Sequence, residues 1–133
     1  MPTDLIAQIT SHLEFLGFTC SPVQKLIFAK HPDKPAVAFQ LFKGGVLFLT
    51  GYSAKKTVME DRVGFLEFVN RANKDAGIGR FVADFKGEPQ LMVEAWYPNE
   101  YERTAFGAFF ENWISELTTY LEREAETGRK YLE

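Results

Sequence analysis

The chain opens with a helical rhythm of apolar positions. Leu5, Ile6, Ile9, Leu13 and Leu16 recur every three to four residues, with Thr3 placed to cap the first turn and Gly17 to close the last. This spacing predicts a helix over Thr3–Leu16. Pro22 then breaks the chain, Lys25–Lys30 reads as a first strand, and the turn from His31 to Pro35 holds two prolines and an aspartate that favour reversal. Two apolar runs follow, Ala36–Phe42 and Val46–Tyr52, separated by Lys43, Gly44 and Gly45. They predict a second and a third strand, closed by a Gly44-Gly45 turn that accepts positive backbone dihedrals. Helical spacing returns from Thr57 to Ala76, where Val58, Val63, Leu66, Val69 and Ala72 supply the stripe, Phe65 and Phe68 widen it, and Gly77 stops it. Ile78–Lys86 sets Phe81, Ala83 and Phe85 against Arg80, Val82, Asp84 and Lys86 as a fourth strand, and Gln90–Tyr97 forms a fifth. Pro98 ends it, and Asn99 caps a last helix over Glu100–Ala125 with a broad apolar face that includes Phe106, Phe110, Trp113 and Leu117.

The two central strands are apolar on both faces. Val37, Phe39 and Leu41 point one way and Ala36, Ala38 and Phe42 the other, while Val46 and Phe48 oppose Leu47 and Leu49. A sheet with one wet face alternates apolar with polar instead. The second face therefore calls for a cover, either another copy of the chain or a partner protein. Phe39, Phe42, Phe48, Leu49, Met92 and Trp96 are the candidate contact residues.

The order of elements gives an α+β fold: a single domain with a five-stranded antiparallel sheet and three helices in the order α-β-β-β-α-β-β-α. The domain is expected over residues 1–126, with 127–133 as a charged C-terminal tail. At ~1.5 Å per residue the last helix extends roughly 39 Å. Its charged end reads either as a solvated terminus or as a segment that reaches a second subunit.

Composition changes this picture in two ways. Thirteen phenylalanines and 15% aromatic residues are a heavy apolar load for 133 residues, which fits either a Phe-rich core or an interface. A net charge of −3 leaves no basic footprint, so direct nucleic-acid binding is disfavoured. The single Cys20 has no partner for an internal disulfide, the first residues lack a signal-peptide pattern, and no run reaches the ~20 apolar residues of a membrane span. A reduced, cytoplasmic protein away from membranes is the expectation.

Reactive constellations are sparse. Gly44 and Gly45 lack the following Lys-Ser/Thr and helix of a phosphate loop, and Gly77-Ile78-Gly79 lies between a helix and a strand, the reverse of a dinucleotide fingerprint. His12 reads as a surface helix residue and His31 as a solvated turn residue; no metal or cofactor is expected. Cys20 reads as an idle thiol. Asp84 and Glu94 fall on adjacent strands, with Arg80 on the face of Asp84: an acid–base pair, or more simply a cross-strand charge pair. Asn70 and Asn73 share a helix face and are expected to fix the helix-to-strand corner.

The segment FVNRANKDAGIGRFVAD, Phe68 to Asp84, resembles the bacterial YbjN family, in which a helix carrying Asn at positions like Asn70 and Asn73 turns into a strand that opens with Arg or an aromatic. The element order over nearly the whole chain is similar to that family as well. The resemblance implies the fold of the type III secretion chaperones. It also implies a non-enzymatic, homodimeric chaperone-like or adaptor protein, with a stress response as its setting, that holds an extended or disordered segment of a protein client on apolar patches and strand edges. The alternative is a small-ligand or catalytic domain with a polar pocket around Arg80, Asp84 and Glu94.

Overall fold

The computed structural model describes residues 2–98 and 100–133. Its elements are α1 (Pro2–Phe15), β1 (Thr19–Val23), β2 (Leu26–Lys30), β3 (Val37–Phe42), β4 (Gly45–Ser53), α2 (Thr57–Glu60), α3 (Arg62–Asp75), β5 (Arg80–Asp84), β6 (Gln90–Tyr97), α4 (Arg103–Arg123) and α5 (Ala125–Tyr131). The fold is α+β, with six strands in one antiparallel sheet of order β1-β2-β3-β4-β6-β5. Among the described residues, five helices and six strands replace the three and five expected.

Each difference has a local cause. Pro22 does not break the chain: it sits within β1, opposite Ile27, in a hairpin whose two-residue turn places Gln24 at φ 56°. In the β3–β4 hairpin the positive dihedrals belong to Lys43 and Gly44, at 50° and 81°, rather than to the two glycines. Gly45 is already paired with Phe42, and a Cβ there would strike the Tyr97 carbonyl. The expected long helix splits at Asp61, whose φ of −132° and ψ of 62° leave helical space and whose carboxylate accepts the Gly64 N–H at 3.1 Å.

Helix ends differ as well. Thr3 lies inside α1 rather than before it, and Asn99 falls outside the described residues. The Glu102 carboxylate accepts the Ala105 N–H and caps α4. Gly17, at φ 100°, ends α1 as expected: its N–H donates to Glu14 and that of Phe18 to Leu13, the paired bonds of a Schellman motif.

The chain divides into two compact units, one of Met1–Thr50 with Ala95–Glu111, the other of Gly51–Glu94 with Asn112–Glu133. In the first, α1 rests on β1 and β3 and buries Ile9 and Leu13 completely. Phe39 stacks on Phe48 at 5.3 Å between ring centroids, and Phe48 meets Phe106 at 5.7 Å and Phe110 at 5.9 Å.

In the second unit α3 packs on β5, and Phe65, Phe68, Phe81, Trp113 and Leu117 are buried together with Tyr131. The residues expected as a charged C-terminal tail form most of α5, and the expected boundary at 126 falls inside that helix. Leu132 bridges to Ala54, the Lys55 N–H donates to the Tyr131 carbonyl at 2.7 Å, and Lys55 Nζ donates to that of Arg129 at 2.6 Å.

Candidate protein-binding surfaces

Strand alternation divides the expected contact residues between two faces. Phe39 and Phe48 are directly paired across β3 and β4, point at the helices of the first unit and have 0% exposure. They are core, and their expected contact role is corrected accordingly. Phe42 and Leu49 point the other way. In the first unit that opposite face carries Leu26, Phe28, Phe42, Leu47, Leu49 and Trp96, with Phe42 42% and Trp96 44% exposed.

Trp96 is held rather than loose. Its Nε1–H donates to the Phe42 carbonyl at 2.8 Å, and the indole reaches that oxygen because Gly45 has no Cβ in its way. With its polar atom satisfied, the indole offers apolar surface to solvent. Lys43 stands over the Phe42 ring at 5.2 Å. Met92, in the second unit, is half-buried opposite Val82.

The free edges of the sheet are poor templates for another strand. On β1, Val23 and Leu26 close a two-residue turn, so the next residue, Pro22, has its main chain facing outward and offers no N–H there. On β5, Asn73 occupies the edge: its Oδ1 accepts the Phe81 N–H and its Nδ2 donates to the Phe81 carbonyl, both at 2.7 Å. The amide imitates a strand partner and blocks that position. Asn70, three residues earlier, is exposed and stands apart from this corner.

Helix α3 presents a second apolar surface. Its buried side is Phe65, Phe68, Val69 and Ala72; Val63 and Leu66, expected on the core stripe, lie on the opposite side at 68% and 48% exposure. At 100° per residue, 65, 68, 69 and 72 cluster on one side and 63, 66 and 70 on the other. A shallow depression of about 480 Å³ there is lined by Val63, Leu66, Glu67, Val69, Asn70 and Asn73.

The polar groups do not converge. The register sets Arg80 opposite Glu94 but Asp84 opposite Gln90, at the other end of the strand pair. Arg80 donates through Nε and Nη2 to Glu94. The Lys86 N–H and the Gln90 amide, at 2.9 and 3.0 Å, hold the Asp84 carboxyl below its usual range.

His12 is half-buried, with Nδ1 2.8 Å from the Tyr101 hydroxyl; burial, then the nearby Arg103 charge, lowers its pKa. His31 packs on Phe18 at 4.9 Å and accepts the Asp33 N–H at 3.0 Å. Burial, then Glu14, pushes the Cys20 thiol up. Among the described residues no cluster of His, Cys, Asp and Glu is arranged to hold a metal ion, and no helix is long and apolar enough to cross a membrane.

The Gly77-Ile78-Gly79 loop does bind an anion, one supplied by the chain itself. The Glu116 carboxylate accepts the N–H groups of Gly77 at 2.7 Å, Ile78 at 3.2 Å and Gly79 at 2.7 Å. Gly79 lacks the Cβ that would lie 3.0 Å from the Trp113 ring. The sequence marked this loop by its glycines, but nothing local to it pointed to a carboxylate 37 residues on in the chain.

The class is thus an α+β protein on one six-stranded antiparallel sheet, bearing uncovered apolar surfaces. No protein-family description matches the sequence, and no curated protein matches it either. The fold is that of YbjN from E. coli, described as a candidate transcription regulator: the crystal structure of that protein is similar with a TM-score of 0.76 over 96% of this chain and 95% of that chain, at 11% identity.

Proposed function

We propose that the chain is a non-enzymatic, homodimeric adaptor of the chaperone kind that holds a segment of a partner protein on the open sheet face of its first unit. One observation carries this reading: an apolar sheet face anchored by Phe42 and Trp96 is left uncovered. The blunted edges favour the face over strand addition as the mode of binding.

The exposed side of α3 supports self-association. Val63, Leu66 and Asn70 follow one another at spacings of three and four on that side, the spacing of a helix-pairing seam. Across a two-fold axis the Asn70 amide, donor and acceptor at once, pairs with its own copy. A reducing cytoplasm suits a chain with one cysteine, and a stress response is a setting that creates unfolded clients. A role in transcription, as the description of E. coli YbjN suggests for that protein, would run here through a nucleic-acid-binding partner, since this chain carries a net charge of −3.

Light scattering across a dilution series tests the dimer, and suppression of aggregation of a heat-unfolded reporter enzyme tests client binding. The expected results are a mass near twice 15.2 kDa, reduced to one copy by Leu66→Glu, and suppression lost in Phe42→Asp while the dimer persists. A single-copy mass at every concentration, with suppression absent or indifferent to Phe42→Asp, would overturn the reading.

A further inference from the structure

The open face of the first unit has a charge pattern that selects among clients. Strands β1, β2, β3 and the β4 stretch up to Thr50 contain no aspartate or glutamate. Between Thr19 and Thr50 there are four lysines against Asp33 alone, a local charge of +3 in a chain of net charge −3. The lysines are also well placed. Lys30 points to the same side of β2 as Phe28, Lys25 sits at the tip of the β1–β2 hairpin, and Lys43 lies over the Phe42 ring. All three are exposed, and among the described residues none of them has a carboxylate partner in an ion pair. An apolar floor is thus bordered by lysines outside any ion pair on both hairpins, with Asp4 and Glu100 lining the depression beside Phe42 and Lys43.

We propose that this face takes an acidic segment of a partner protein, one in which leucine or phenylalanine side chains alternate with aspartate or glutamate. The inference rests on the protein-binding reading above and adds the chemistry of the client. Apolar side chains of such a segment cover Phe28, Leu47, Leu49 and the Trp96 indole, while its carboxylates reach Lys25, Lys30 and Lys43. A basic segment places like charges together and is rejected. Lysine suits such a border, because its long apolar stem extends the floor while its charge stays in water.

The test uses three fluorescein-labelled synthetic peptides with the same leucine and phenylalanine positions, separated by glutamate, glutamine or lysine. Binding to the full chain is followed by anisotropy at low and high salt. The glutamate peptide is expected to bind about tenfold more tightly than the glutamine peptide, with the gap narrowing as salt rises. The Lys25→Glu, Lys30→Glu, Lys43→Glu triple variant should invert the order in favour of the lysine peptide, and Lys30→Glu alone should weaken the preference with less risk to folding.

Equal binding of all three peptides, abolished by Trp96→Ala, would overturn the charge selection and leave the protein-binding reading intact. Absence of binding by any peptide would overturn both. A preference for glutamate that survives the triple variant would also overturn the inference, because the carboxylates would then be read elsewhere.

Discussion

Phe48 and Phe42 lie six residues apart on one hairpin, and in sequence both are a phenylalanine in an apolar strand. The structure treats them oppositely. Phe48 is enclosed by Phe39, Phe106 and Phe110 with 0% exposure, while Phe42, of opposite parity on the hairpin, is 42% exposed. The difference is one of parity along the strand and of where the helices lie. Apolar character identifies what wants cover; only the tertiary arrangement says whether the chain supplies it.

Replacing each residue in turn should break the pair apart, and Phe48 gives the largest effect. Phe48→Ala removes a ring from a close-packed aromatic cluster and is expected to destabilise the fold by about 3–5 kcal/mol, read from the urea midpoint. Phe48→Asp should prevent folding outright, because the core offers its charge no partner. A folded, single-copy Phe48→Asp protein would show that Phe48 is interfacial and that the contrast with Phe42 is false.

The same contrast extends to polar groups. The N–H groups of Gly77, Ile78 and Gly79 are a cradle filled from within by Glu116, as the Phe48 site is filled by helix side chains. Glu116→Ala should cost roughly 1–3 kcal/mol, with faster hydrogen exchange at these three amides. Glu116→Gln, which keeps one acceptor oxygen, should fall between the alanine variant and the native chain. Equal exchange in all three proteins would mean that the loop does not depend on the carboxylate.

A third internal contact has a pH signature. The Tyr131 hydroxyl, 2.7 Å from Asp61, and then the Gly64 N–H hold the Asp61 carboxyl below its usual value. A carboxyl depressed in the folded state stabilises it above the unfolded pKa, near 4, and loses that contribution as pH falls through the lower folded value. Tyr131→Phe removes the largest cause. Its urea midpoint should therefore lie below that of the native chain at neutral pH, and the two should approach each other in acid. Parallel curves down to low pH would detach the clasp from Asp61.

Much of the architecture was legible because it repeats. The first helix, the central hairpin, the fifth expected strand and the last helix all carry a long apolar period, and each is present within a few residues. What escaped is short or distant. β1 hides behind Pro22, an edge position that tolerates the missing donor; the split at Asp61 needs the side chain to turn back on Gly64. Glu116 and the Asn73–Phe81 bridge join segments whose approach is set by packing, so their partners could not be read from spacing. For the candidate surface, the six expected residues mixed two faces, because strand parity alone does not say on which side the helices settle.

Phe42 gives the smallest effect on stability and the most pointed one on the contrast with Phe48. Its ring is already partly in water, so Phe42→Ser removes little buried surface, and the hydrogen bond to Trp96 uses the main-chain carbonyl, which the substitution keeps. The unfolding free energy read from the urea midpoint should fall by no more than about 0.5 kcal/mol, whereas suppression of reporter aggregation should fall sharply. Stability and binding would then separate at Phe42 and fail together at Phe48. A large loss of stability from Phe42→Ser would mean that the open face is cover for the core after all, and would remove the reason to seek a partner there.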